Sequence, residues 1–216
     1  MPPPRAAQPL VKPAPPPVWR RASPPRFAAT LRFMKNERGF TLIELLVTIA
    51  IAAILATLAG PSFLRMIKSN TMSGSVNTFL ADLRYARSEA IRRGGRVIMC
   101  RSDNPESATP ACATAGTTAK GWAAGWIIFH DKDASGAWNS TDHTLRVQSA
   151  LTGMDAILEG TPTAATAFQF TATGRLQNGA ATTLNFGGSQ FTADQQRMVC
   201  VSPSGRAKIS EDGTCT

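Results

Sequence analysis

Phe40 to Ala59 reads FTLIELLVTIAIAAILATLA, twenty residues carrying a single charge, Glu44. At about 1.5 Å per helical residue the run spans about 30 Å, the thickness of a bilayer's hydrocarbon core. Basic residues crowd its N-terminal side, so the positive-inside rule places that side in the cytoplasm and exports the rest of the chain. Two plain alternatives are a secretory signal peptide, with small residues near Ala59 as a weak cleavage site, and a simple membrane anchor. Glu44 argues against both. A carboxylate at hydrocarbon depth costs about 2.5–3.5 kcal/mol even on insertion scales, and such a residue usually has a partner or a job.

Charge follows the same division. The 216 residues hold 23 Lys+Arg against 14 Asp+Glu, net +9, a balance that taken whole suggests a nucleic-acid or anionic-surface binder. Residues 1–39 contain eight basic residues and one acid, whereas 40–216 contain 15 basic and 13 acidic, only +2. Ten of the 15 prolines also precede residue 34. The bulk charge is therefore no evidence for nucleic-acid binding by the exported part. With 43% hydrophobic residues the chain can bury one sizeable core, so a wholly disordered chain is excluded. Two histidines, His130 and His143, rule out a His-rich metal site and leave little for His-dependent catalysis.

Arg38-Gly39-Phe40-Thr41-Leu42-Ile43-Glu44 resembles the type III signal of type IV prepilins. The resemblance implies cleavage by prepilin peptidase after Gly39 and N-methylation of Phe40, the new N-terminus. It also implies a role for Glu44 in filament assembly, where its carboxylate meets the Phe40 amine of a neighbouring subunit. A buried charge that finds its partner only in the assembly acts as a register device. Met34-Lys35-Asn36-Glu37-Arg38-Gly39 is by itself a complete short leader of that kind. Met34 is therefore expected to be the real start, with 1–33 untranslated or a discarded extension of the leader 1–39.

Past Pro61 an apolar stripe continues through Phe63, Leu64, Ile67, Met72, Val76, Phe79, Leu80, Leu83, Ala86, Ala90 and Ile91 at three- and four-residue spacing. Gly94-Gly95 is expected to stop the helix. Short β runs then follow at 96–100, 125–131, 144–149, 167–172, 182–186, 197–202 and 206–210, separated by turn residues. The expected organisation is a transmembrane helix over 40–60, an amphipathic helix over 61–95 and a periplasmic β domain over 96–216. The fold class is α+β and pilin-like, one long N-terminal helix packed on a mostly antiparallel β-sheet domain.

Several blocks of the β domain narrow the resemblance. Cys100-Arg101-Ser102-Asp103 with Cys112, Gly121-Trp122, Gly125-Trp126-Ile127-Ile128-Phe129 and Leu145-Arg146-Val147 resemble the GspH/FimT group of minor pilins and pseudopilins. So does Ser204-Gly205-Arg206-Ala207-Lys208 near the end. In FimT-type minor pilins a terminal G-R-x-R motif binds DNA. The resemblance thus marks Arg206 and Lys208, with Arg197 nearby, as a DNA-binding candidate. Lys208 stands where the motif has arginine, so it neutralises a phosphate but lacks the bidentate fork.

Other candidates stand on residues alone. Four cysteines in an exported domain point to two disulfides. Chain-local pairing favours Cys100–Cys112 and Cys200–Cys215, with all three connectivities open. Zinc is disfavoured, because no C-x-x-C spacing exists. Asp131, Asp133, Ser135, Gly136 and Asp142 match most of a calcium-loop pattern, against the plain alternative of a polar hairpin turn. No other cofactor is expected. His130 and His143 are expected to be exposed turn residues, and Trp126 to be core. Arg84, Arg87, Arg92, Arg93 and Arg96 form a second basic group, expected as a solvated helix face with intrahelical ion pairs.

The function implied is structural, not enzymatic. The expected molecule is a minor subunit of an envelope-spanning filament, crossing the inner membrane once with its N-terminus cytoplasmic. Its expected partners are other pilins or pseudopilins, prepilin peptidase, the inner-membrane assembly machinery, membrane lipid and double-stranded DNA. Two machines use such subunits. One is a type IV pilus, where a FimT/FimU-like minor pilin sits at or near the tip; the other is a type II secretion system with its H-type minor pseudopilin.

Overall fold

The computed structural model describes residues 39–114, 119–160, 165–179, 181–210 and 214–215. The leader 1–38, including Met34 and Arg38, lies outside the described residues.

Thr41-Leu42-Ile43-Glu44 has the Thr-x-x-Glu spacing of a capping box, and it opens the long helix α1, Leu42–Arg93. The Thr41 hydroxyl accepts the Glu44 amide at 3.2 Å, and its carbonyl accepts the Leu45 amide at 3.1 Å. Glu44 therefore sits in the first turn, where the helix dipole favours a carboxylate. One helix runs through Pro61, as the expected single long N-terminal helix requires, with the transmembrane and amphipathic parts on either side of it. Proline removes one ladder donor, and long helix-forming runs on both sides outweigh that single loss. The helix ends where Gly94 and Gly95 take φ of +80° and +105°, and the Gly95 amide closes on the Ala90 carbonyl at 2.7 Å.

Residues 42–59 are exposed throughout, and this helix is long and apolar enough to cross a membrane. Burial begins at Met72 and follows Val76, Phe79, Leu80, Leu83, Ala86 and Ala90. Phe63, Leu64, Ile67 and Ile91, assigned to the same stripe by periodicity, stay exposed. Spacing reports the face of a helix and not how far a domain extends along it.

Eight strands follow: β1 Val97–Arg101, β2 Trp126–His130, β3 His143–Gln148, β4 Ala156–Glu159, β5 Ala167–Phe170, β6 Thr182–Gly187, β7 Arg197–Val201 and β8 Ala207–Ser210. They form two four-stranded sheets, ordered β3-β2-β1-β5 and β4-β6-β7-β8, with every ladder antiparallel. Strand β4 is absent from the sequence expectation. Ala-Ile-Leu-Glu is too short to show alternation and carries one β-branched residue, so only pairing with β6 defines it.

Phe79 stands at the centre of the core. Its ring meets Trp122 at 5.4 Å, Trp126 at 5.5 Å, Phe186 at 5.7 Å and Phe168 at 6.2 Å, all edge-on. Trp126 is fully buried as expected, and so is Trp122. Strand β1 is buried along its whole length because both faces are covered. Val97 and Met99 face the main core, while Ile98 and Cys100 join Ile127 and Phe129 in a second cluster beside Cys112 and Trp138.

Candidate functional site

The disulfides are Cys100–Cys112 and Cys200–Cys215, with Cα separations of 5.5 and 5.6 Å. The first staples a surface loop over the second cluster. The second ties the C-terminal residues to β7 and encloses β8 in its ring.

That ring holds the basic tail. Across the β7–β8 ladder Cys200 pairs with Lys208 and Val201 with Ala207. Side chains alternate along a strand, so Arg206 and Lys208 share the face of Cys200, and both are exposed. Arg197 does not join them. It has the parity of core-facing Val199 and lies five residues from Ser202, about 16 Å at strand rise. Its Nη1 donates to the Asp194 and Gln196 carbonyls at 2.7 and 2.8 Å. The Asp194 carboxyl is held below the usual carboxylate range, first by the Thr192 hydroxyl and then by its own backbone, with smaller help from Arg65 and Arg197. Of the three candidate residues the fold brings two together.

The turn that presents Arg206 is built by glycine. The Ser202 amide donates to the Arg206 carbonyl at 2.8 Å, and the Gly205 amide donates to the Ser202 carbonyl at 2.9 Å. Gly205 is buried with φ +73°, and a Cβ there would come 2.4 Å from the Gly174 carbonyl oxygen. That same oxygen accepts a 2.9 Å bond from Arg87 Nε on α1. A side chain at 205 is thus excluded twice, by backbone conformation and by contact. The helix arginines and the tail, separate in sequence, meet at one carbonyl.

Arg84 is exposed on the helix, and the other members of the group are engaged locally. Arg92 and Arg93 bond Glu89, at 2.7 and 2.8 Å in their better-separated contacts, and hold its carboxyl below the usual range despite burial. Arg96 donates to the Lys132 carbonyl at 3.0 Å. Buried Asp82 accepts Trp126 Nε1 at 2.9 Å and also bonds Arg146, whose guanidinium lies 5.1 Å from the Tyr85 ring centre. Asp82 thus locks the helix to the first sheet, while Glu89 pairs within the helix. An apolar stripe gives no hint of them, although their spacing against nearby arginines does.

Asp131, Asp133 and Asp142 do converge, with one carboxylate oxygen from each within 4.8 Å of the others. Their oxygens also close the turn itself. Asp131 accepts the Ser135 and Gly136 amides, Asp133 the Ser135 amide and the Asn139 side chain, and Asp142 the Lys132 and Asn139 amides. Ser135 turns its hydroxyl to the Ala137 carbonyl at 2.8 Å. The flanking elements are strands β2 and β3, not the helices of a calcium-loop hand. The geometry fits a self-closed hairpin turn, and calcium remains an expectation of the pattern alone. His143 is exposed, while His130 is half-buried at the end of β2, paired with both Val97 and His143. The expectation of an exposed turn residue fails for His130 because it is the last residue of β2, with a strand neighbour on each side in Val97 of β1 and His143 of β3.

The sequence family described as type II transport protein GspH matches residues 75–205, well over half the chain. The chain belongs to the GspH family. The prokaryotic N-terminal methylation motif matches residues 34–60, covering the segment around Gly39, Phe40 and Glu44. A crystal structure of the type IV minor pilin FimU from Pseudomonas aeruginosa PAO1 superimposes with TM-score 0.50 at 22% identity, over 68% of this chain and 93% of that one. A second crystal form of FimU covers 67% and 96%, with TM-score 0.46 and 22% identity. No curated protein matches. The FimU likeness establishes the pilin fold. Family membership makes this GspH-family chain a structural minor pilin or pseudopilin, assembling with other pilins and anchored by its N-terminal apolar helix.

Proposed function

We propose that this chain is a minor subunit of a type IV pilus, processed by prepilin peptidase between Gly39 and Phe40 and carried at or near the pilus tip. Phe40 is the methylated N-terminus, and Glu44 pairs with the Phe40 amine of an adjacent subunit. Thr41 presets that role by capping the helix, so that Glu44 lies in the first turn beside the cut end. The globular part faces the periplasm and plays a structural part rather than an enzymatic one.

One observation supports the pilus over the secretion machine. Arg206, in a turn that Gly205 shapes, and Lys208, on edge strand β8 inside the Cys200–Cys215 ring, are both exposed on one face. That surface suits the phosphate backbone of double-stranded DNA, read without sequence preference, and therefore DNA capture by the filament. The alternative, an H-type minor pseudopilin of a type II secretion system, draws support from the family description itself. Deleting the gene separates the two. Lost twitching or transformation with normal exoprotein release is the expected result, whereas lost exoprotein release alone overturns the pilus reading.

A further inference from the structure

The Gly-Arg turn occurs twice. Thr171-Ala172-Thr173-Gly174-Arg175 and Ser202-Pro203-Ser204-Gly205-Arg206 share one pattern, hydroxyl–any–hydroxyl–Gly–Arg. Four of their contacts match in kind. The first hydroxyl residue donates its amide to the arginine carbonyl at 2.9 Å in one turn and 2.8 Å in the other. The glycine amide returns to the first residue's carbonyl at 2.9 Å in both. Each first hydroxyl bonds the arginine carbonyl at 3.1 Å and meets the second hydroxyl, at 3.1 and 2.8 Å. Both glycines have φ +73°.

The two turns also touch. Gly205 approaches the Gly174 carbonyl so closely that no Cβ fits, and the Leu176 amide donates to the Pro203 carbonyl at 3.0 Å. Arg87 bonds the same Gly174 carbonyl from the helix, bringing a third guanidinium to the junction. Arg175 and Arg206 are both exposed, and neither has an acidic partner among the described residues. Two like charges on adjoining turns repel one another as they come near, and a shared anion removes that cost.

We infer that Arg175 is a second phosphate-binding residue, and that the twin turns present Arg175 and Arg206 together to neighbouring phosphates of duplex DNA. This rests on the DNA-binding reading of the tail and extends it to a segment outside the terminal motif. The sequence-independent character follows from the chemistry. Guanidinium groups on exposed turns reach phosphate oxygens without reading base edges in a groove.

The test uses the full chain in detergent, with binding to a labelled duplex of mixed sequence followed by anisotropy across a salt series. Arg175→Gln and Arg206→Gln are each expected to weaken binding and to reduce the slope of log affinity against log salt by about 0.9, the value for one phosphate contact. Arg175→Lys keeps the slope, and the melting temperature stays unchanged in all three because both side chains are solvent-facing. If Arg206→Gln lowers the slope and Arg175→Gln does not, the twin-turn inference is overturned while the tail reading stands. If the unaltered protein binds no duplex, both fall.

Discussion

Gly205 has two reasons to be glycine, and their sizes decide what a substitution does. A positive φ alone costs a side chain about 1 kcal/mol. The 2.4 Å approach of a Cβ to the Gly174 oxygen adds a backbone collision that no rotamer relieves. Gly205→Ala is therefore expected to destabilise by about 2–3 kcal/mol in urea unfolding. Gly179→Ala, at φ +61° with open space around it, is the control and is expected to cost only about 1 kcal/mol. Equal losses at the two positions would remove the contact argument. His130 gives a pH signature at the same scale. Burial lowers its pKa first, and Arg93, Arg96 and Lys132 lower it further against Asp131. Its Nε2 is buried without a hydrogen-bond partner among the described residues. The unfolded chain then binds the proton more readily than the folded one. Stability is complete above the ordinary histidine pKa, about 6.5, and falls as pH drops from there toward the folded value. In His130→Gln the loss of stability between pH 7 and 5 is expected to shrink. An unchanged profile places the titration elsewhere.

Among the elements, β1 and β4 are joined by a buried ion pair, since Arg101 is 1% exposed and its Nη1 meets Glu159 Oε1 at 2.6 Å. The pair links the two sheets beside the Cys100–Cys112 staple. Removing one partner leaves the other charge buried, so Glu159→Gln is expected to cost about 3–5 kcal/mol. Arg101→Met combined with Glu159→Leu is expected to recover most of that loss. A double variant no better than the single one would mean that the pair itself, not the orphaned charge, carries the energy. This contact also shows what the sequence conceals. Nothing in the local sequence marks either residue as buried, and β4 has no pattern of its own. The long helix, its glycine stop and seven strands were legible because periodicity and turn residues are local signals. The Cys100–Cys112 and Cys200–Cys215 pairings were favoured by short chain separation, which alone left three connectivities open. Arg175 escaped notice because its Gly-Arg turn gains meaning only beside Gly205, 31 positions later in the chain. Arg197 was grouped with Arg206 by sequence proximity, and strand parity separates them.

For the whole molecule, two features point the same way from opposite ends. The N-terminal segment has an exposed apolar helix, capped by Thr41, with one carboxylate in its first turn, and the C-terminal turn carries its arginine outward on a glycine. The first is unfavourable in water and needs a membrane or a bundle of like helices; the second is free to meet a ligand. A filament subunit reconciles them, because assembly buries the helix while leaving the β domain at the surface. On the proposed function, assembly in turn depends on freeing the Phe40 amine beside Glu44. The direct test is intact-mass and terminal-peptide mass spectrometry of the protein extracted from its own membranes. A chain beginning at N-methylated Phe40 is the predicted result. A chain that still carries Gly39 and the residues before it, or one cut near Ala59, contradicts the account.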